Sequence, residues 1–387
     1  MSDKTPRISA SGWGKLPLPP DPLPRSAART SATRWGKLPF PDPLPRSAAR
    51  TSATRWAITG GAGFLGLRLA RRLVGRGESV RSLDRLPLTE PGVVALRGDV
   101  RTRADVLELC AGADVLVHAA AALPSAGREQ TLRSVNVEGT ATVLAAAAEA
   151  GVGRVVCISS AVVYGLAGAP FHEEALPAPV EAYGRSKLEA DRLALTAGAV
   201  VLRPTAFVGP GRRGVFGILF DWIREGRRIY TLGSGSNRYQ LLDVDDLVDA
   251  VLLSAERPVA GEILNLGASV FGTVAEDLQQ LTRLAGSQSR ITAVPARPAR
   301  LVLAALATAR LSPLSSWHYR SADRDIVVDT ARARGLLGWA PRSSNVDALA
   351  RAYAWHVAAP RRVESPGGPT HRARWNERAL ALVRRLS

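Results

Sequence analysis

Thr59-Gly60-Gly61-Ala62-Gly63-Phe64-Leu65-Gly66 is the stretch on which the reading of this chain turns. It follows a short apolar run, Trp56–Ile58, and opens an amphipathic run that ends at Val74, so strand, tight turn and helix succeed one another. In such a turn Gly60 permits the sharp reversal, Gly63 lets a pyrophosphate approach the backbone, and Gly66 lets the helix pack closely on the strand. The helix start at Phe64 and Leu65 then offers free N–H groups and the positive end of the helix dipole to phosphate. Glycine-rich turns are common. What makes this one specific is Asp84, which ends a second strand 24 residues after Gly60. There a carboxylate can accept hydrogen bonds from the adenosine ribose, which favours NAD, while the adjacent Arg85 could meet a 2′-phosphate and keeps NADP open.

Working outward, strands are expected at Ser79–Leu83, Val93–Leu96, Val115–Val117, Arg154–Ile158 and Val200–Leu202. Helices are expected at Arg103–Cys110, Ser134–Glu149 and Tyr183–Thr196. Alternation at this spacing predicts a Rossmann-type, doubly wound parallel sheet of the α/β class over 55–205. Beyond Thr205 the alternation breaks. Residues 206–240 and 268–358 read as a smaller, mostly helical substrate-binding region, while 241–267 returns to the sheet. Asp99 and Val100, after the third strand, sit where an adenine amino group could be held, although Asp99 serves equally well as an N-cap for the helix that follows.

The termini differ in kind. Residues 13–34 and 35–55 are two copies of one Pro-dense unit, so 1–54 reads as a disordered repeat tail. Residues 359–387 form a basic tail whose last part, Trp375–Leu386, has an apolar stripe beside Arg378, Arg384 and Arg385 and is a candidate for membrane-surface contact. These ends explain the net charge of +17, since 1–55 carries +7 and 359–387 carries +5. The remaining +5 is spread over some three hundred residues, an ordinary surface that does not point to specific nucleic-acid binding. Two distant cysteines, Cys110 and Cys157, give no disulfide framework, and five unclustered histidines give no metal site. With no apolar leader and no run long enough to span a bilayer, a cytoplasmic protein is expected.

The chemistry is read from Tyr183-Gly184-Arg185-Ser186-Lys187, which places a phenol and an ammonium on one helix face. A nearby cation favours phenolate, so Lys187 is expected to lower the Tyr183 pKa and to hold the nicotinamide ribose. Ser160, at the end of the fifth strand, can donate to the substrate oxygen. Together Ser160, Tyr183 and Lys187 form a general acid/base constellation for oxidation or reduction of a small-molecule substrate on a nicotinamide.

With these motifs in place, the chain resembles the extended short-chain dehydrogenases/reductases, the NAD-dependent epimerase/dehydratase family. The resemblance covers about residues 55–357. It rests on T-G-G-A-G-F-L-G at 59–66, V-H-A-A-A at 117–121, N-V-E-G-T at 136–140 and S-S-A-V-V-Y-G at 159–165. Y-G-R-S-K at 183–187, R-P-T-A-F-V-G-P-G at 203–211, D-V-D-D-L at 243–247 and L-G-W-A-P at 337–341 complete it. It implies catalytic roles for Ser160, Tyr183 and Lys187, with Asn136 beside the cofactor and His118, Ala119 and Ala120 contacting it mainly through backbone. It also implies a frequent homodimer.

Three departures bear on the substrate. Dehydratases of the family put Thr-Asp-Glu where this chain has Ser160-Ala161-Val162, which argues against 4,6-dehydration. Sugar-nucleotide members commonly put Asn at Ala206 and Arg at Tyr239, with Arg238 adjacent here. The stretch 237–240 and the apolar run Ala299–Leu311 are more similar to 3β-hydroxysteroid dehydrogenases. The functional expectation is therefore an oxidoreductase or epimerase on a sugar nucleotide or another alcohol or ketone, with an apolar alcohol as the alternative. A dinucleotide-sensing or assembly protein is the non-enzymatic alternative, against which the Tyr/Lys pair speaks.

Overall fold

A computed structural model describes residues 53–124, 128–308, 314 and 316–359. The N-terminal repeat up to residue 52 and the basic segment 375–386 lie outside the described residues. The first half runs β1 (Arg55–Thr59), α1 (Phe64–Val74), β2 (Ser79–Asp84), β3 (Val93–Arg97), α2 (Arg103–Cys110), β4 (Val115–His118), α3 (Glu129–Arg133), α4 (Gly139–Glu149), β5 (Arg154–Ile158), α5 (Ala182–Thr196) and β6 (Val200–Pro204). The second adds β7 (Ala206–Val208), α6 (Val215–Arg224), β8 (Ile229–Leu232), β9 (Leu241–Asp243), α7 (Val244–Glu256), β10 (Ile263–Leu266), α8 (Val274–Leu284), β11 (Ile291–Val294), α9 (Ala296–Thr308), α10 (Ser316–Ser321), α11 (Ala331–Leu337) and α12 (Asn345–Ala358).

Seven parallel strands make one sheet in the order β3-β2-β1-β4-β5-β6-β10. This is a Rossmann-type doubly wound sheet, and its central strands β4, β5 and β6 are buried along their whole length. A strand covered on both faces must be apolar on both, which is why these segments read as Val/Leu/Ile runs rather than alternating ones. Alternate residues feed two cores. Ile58, Val117 and Val156 pack with Leu69 and Leu73 of α1 and Leu247 and Val251 of α7. Ala57, Leu116 and Val155 pack on the other face with Val106 and Leu109 of α2 and Val143 and Ala147 of α4. Ala333, Leu337 and Trp339, expected with the second region, join the first of these cores. A third core, built around Phe220, Ile223, Leu281 and Leu349, belongs to the second region.

Two local readings change. The Ala-rich helix begins at Glu129 rather than Ser134, and a π turn over Ser134–Glu138 interrupts it before α4. Periodicity does not reveal the extra residue of a π turn, and such turns are frequent at functional sites. The N-cap of α2 is Thr102, not Asp99, because the Asp99 carboxylate binds the Arg101 guanidinium instead, at 2.6 Å and 2.9 Å.

The chain leaves β1 toward β2 and β3, then crosses back to β4 on the other side. Ligands of open α/β sheets bind where the strand order reverses in this way, at the carboxyl ends of the strands.

Candidate active site

At this switch point the turn after β1 meets the loop after β4. Gly60 has a φ of +76°, and a Cβ there would lie 2.8 Å from Ala120 N. Thr59 holds the two loops in contact, since Ala120 N donates to its Oγ1 at 3.2 Å and Ala119 N to its carbonyl at 3.2 Å. Ala119 and Ala120 thus approach the turn through backbone. The His118 side chain turns inward, with Nδ1 2.8 Å from Thr59 Oγ1 and Nε2 2.9 Å from Thr140 Oγ1. Burial, with Lys187 nearby, pushes its pKa down to about 3, so this imidazole is a neutral strut.

A Cβ on Gly66 would stand 2.1 Å from the Gly60 carbonyl oxygen, so close packing of α1 on the turn requires glycine there. Gly63 is the N-cap residue of α1 and supplies no side-chain cap. Phe64 and Leu65, the first residues of α1, bury their side chains, and Phe64 stacks on Phe207 with centroids 5.8 Å apart. Asp84 braces the turn, its carboxylate accepting from Ala62 N at 3.0 Å and from Leu86 N at 2.9 Å. A glycine cradle, an uncapped helix start and a strand-end carboxylate fit a dinucleotide. Arg85 is largely exposed and reaches only to 3.7 Å from Asp99. Arg101 holds Asp99 below the usual carboxylate range, by hydrogen bond first and by charge in addition. Val100 is buried in the second core.

Ser160 lies two residues beyond β5 and caps the short turn Ala161–Tyr164, its Oγ accepting weakly from Val162 N at 3.4 Å. Tyr183 and Lys187 lie one turn apart in α5. Lys187 is buried and its Nζ donates to Ile158 O at 2.7 Å, beneath the end of β5. Asn136, in the π turn, holds this region together. It accepts from Ala122 N at 2.8 Å and donates to Ala122 O at 3.1 Å and Ser186 Oγ at 3.0 Å.

Ser160 and Tyr183 open onto a cavity of about 490 Å³. Its walls are mostly apolar, including Phe207, Phe216, Leu219, Leu278, Leu349 and Trp317. Both positions singled out as departures, Ala206 and Tyr239, line it. The Tyr239 hydroxyl accepts from Trp317 Nε1 at 3.2 Å. Arg238 does not line the cavity and instead stacks on Phe271, 4.5 Å from the ring centre.

The electrostatics differ from expectation. Burial raises the Tyr183 pKa above its ordinary value, Glu181 adds to the rise, and the cation that opposes it is Arg212 rather than Lys187. The Lys187 ammonium is committed to Ile158 O, and its own pKa is lowered by burial. Sequence reasoning missed Arg212, a buried cavity-wall residue just beyond the Gly-Pro-Gly at 209–211. A second arginine beside it was the available signal. Among the described residues no His, Cys, Asp or Glu cluster could hold a metal, and no helix is long and apolar enough to cross a membrane.

Residues 56–267 match the NAD dependent epimerase/dehydratase family. An uncharacterized protein of Sinorhizobium fredii (strain NBRC 101917 / NGR234) is 33% identical over 335 residues, 84% of each chain. The 4-hydroxy-2-methyl-3-oxo-4-farnesyl-3,4-dihydroquinoline-1-oxide ketoreductase of Stigmatella aurantiaca is 30% identical over 320 residues, 76% of this chain and 95% of its own. The structure of MoeE5 in complex with UDP-glucuronic acid and NAD aligns with a TM-score of 0.65 at 27% identity, covering 78% of this chain and 98% of MoeE5. With the family matched across more than half its length, the chain is an enzyme belonging to the NAD dependent epimerase/dehydratase family.

Proposed function

We propose that this enzyme interconverts a ketone and a secondary alcohol on a largely apolar substrate, with Tyr183 as the acid/base. The observation that carries the reading is that Ser160 and Tyr183 face a cavity whose walls are dominated by aliphatic and aromatic side chains. Bound NAD, held by Gly60, Gly63, Gly66 and Asp84, supplies the two-electron exchange at one substrate carbon. The Ser160 hydroxyl donates to the substrate oxygen. Tyr183, kept in its phenol form by burial, delivers a proton to that oxygen during ketone reduction. Lys187 spends one N–H on Ile158 O, which leaves two donors that would orient the cofactor ribose. Asn136 acts as a positioning residue through Ala122 and Ser186.

The farnesyl-bearing substrate named for the Stigmatella aurantiaca ketoreductase agrees with an apolar ligand. Ala161 and Val162 stand beside Ser160 and carry no ionisable group, which favours redox chemistry over loss of water, although the family includes dehydratases. A homodimer belongs to the same proposal and is checked by sedimentation. The decisive experiment follows NADH oxidation across neutral ketones and nucleotide sugars, with Tyr183→Phe as control. Turnover of apolar ketones is expected, with a loss on the order of 100-fold or more in the variant and unchanged NADH affinity. Full activity in the variant rejects the mechanism. Preferential turnover of nucleotide sugars rejects the substrate class.

A further inference from the structure

We infer that Arg212 is an anion anchor in the substrate cavity and that the substrate carries a carboxylate on its apolar skeleton. The inference rests on the cavity being the substrate site, as proposed above. Arg212 is 8% exposed and lines the same cavity as Ser160 and Tyr183. Its Nε and Nη1 are buried without a hydrogen-bond partner. Three rings surround the guanidinium, those of Phe207, Phe64 and Phe216, at 5.4, 5.5 and 5.7 Å from its central carbon. Aromatic faces attract the cation and fix its plane, but they satisfy none of its N–H groups. The buried Arg203 is treated differently. Arg203, at 3% exposure, donates to Asp191 at 2.9 Å and to Tyr164 at 2.9 Å.

A buried, unpaired cation in an apolar wall is costly unless its counter-charge arrives with a ligand. Burial lowers its pKa to about 9, which leaves it charged at neutral pH. Each of its free N–H groups, at Nε and Nη1, can donate a charge-assisted hydrogen bond to a carboxylate oxygen. The other source of an oxyanion is the cofactor pyrophosphate, because Phe64 begins α1 beside the phosphate turn. The carboxylate is favoured because Arg212 shares its mostly apolar cavity with Tyr183 and the turn already offers phosphate its own N–H groups.

The test measures binding rather than turnover, so it fails independently of the catalytic reading. Calorimetry on the full chain saturated with NAD compares decanoate with decanamide, which has the same chain and no charge. Decanoate is expected to bind at least tenfold more tightly. Arg212→Gln should abolish that difference while leaving decanamide and NADH affinities unchanged, and Arg212→Lys should retain part of it. Equal binding of acid and amide by the parent protein overturns the proposal without recourse to any variant. A preference that survives in Arg212→Gln also overturns it. Loss of NADH affinity in that variant overturns it in favour of the pyrophosphate.

Discussion

Replacing Gly66 by alanine tests the cofactor turn directly. The new methyl would stand 2.1 Å from Gly60 O and 2.8 Å from both Gly60 C and Gly61 Cα. Carbon–oxygen contacts of this type normally begin near about 3.3 Å, so turn and helix must separate by roughly 1 Å. The obstacle is backbone on every side, and no rotamer relieves it. Overpacking of this kind costs about 1–3 kcal/mol of stability. The displaced atoms are the ones that present N–H groups to phosphate. One lost hydrogen bond to a charged group, at about 1.5–3 kcal/mol, weakens NADH binding about 10- to 100-fold. NADH fluorescence titration and thermal unfolding on the purified chain read both effects. Gly335→Ala is the control. It lies inside α11 with no neighbour within 4 Å of the added methyl, and should gain about 1 kcal/mol in stability with NADH affinity unchanged. A Gly66→Ala protein that binds NADH within threefold of the parent would show that the turn does not grip phosphate.

Two further outcomes follow from buried polar groups. Burial pushes the His118 pKa down to about 3 in the fold, against an ordinary value near 6.5 in the unfolded chain, so between these pH values only the unfolded chain binds the extra proton. Its contribution to stability is therefore complete above pH ~6.5 and declines toward pH ~3, by about 1.4 kcal/mol per pH unit. Urea unfolding at pH 7, 6, 5 and 4 should show a shallower decline in His118→Gln, and parallel profiles would contradict the assignment. Asp191 and Arg203, each 3% exposed and 2.9 Å apart, tie α5 to β6. Asp191→Ala should cost about 3–5 kcal/mol by stranding the guanidinium, measured by chemical denaturation, and a loss under 1 kcal/mol would contradict the pairing.

The sheet was legible because each of its signals is local. The glycine spacing reports a turn that only glycine can make, as the contacts at Gly60 and Gly66 bear out. The apolar runs at 115–118, 154–158 and 200–204 report burial on both faces of a strand. What stayed hidden depends on contacts between distant segments. Nothing near Trp339 in sequence says that it packs against the first core, with its Nε1 donating to Asp246 O at 2.9 Å. Asp99 is a local exception: it reads equally as an N-cap or an adenine contact, and its carboxylate goes instead to Arg101, two residues on, a choice set by the shape of the loop after β3 rather than by spacing. Asn136 was marked as a cofactor neighbour from the resemblance. Its observed bonds to Ala122 and Ser186 show how the π turn braces the loop after β4 against α5.

Tyr183 shows most clearly why a motif does not carry its own electrostatics. Spacing correctly puts a phenol and an ammonium one turn apart, and from that a depressed phenol pKa would follow. The fold instead sends Lys187 Nζ to Ile158 O and surrounds Tyr183 with low-dielectric walls, Glu181 and Arg212. Desolvation then outweighs attraction, so the phenol holds its proton. The phenol is the form that acts as the acid in ketone reduction. Oxidation of an alcohol would instead require the nearby positive charge to outweigh burial. Arg212 is the residue through which that balance can shift, because an anion bound to it removes the one charge now opposing the rise. A carboxylate bound at Arg212 would therefore strengthen the proton-holding form of Tyr183, so that substrate anchoring and the protonation of the acid/base meet in one buried guanidinium.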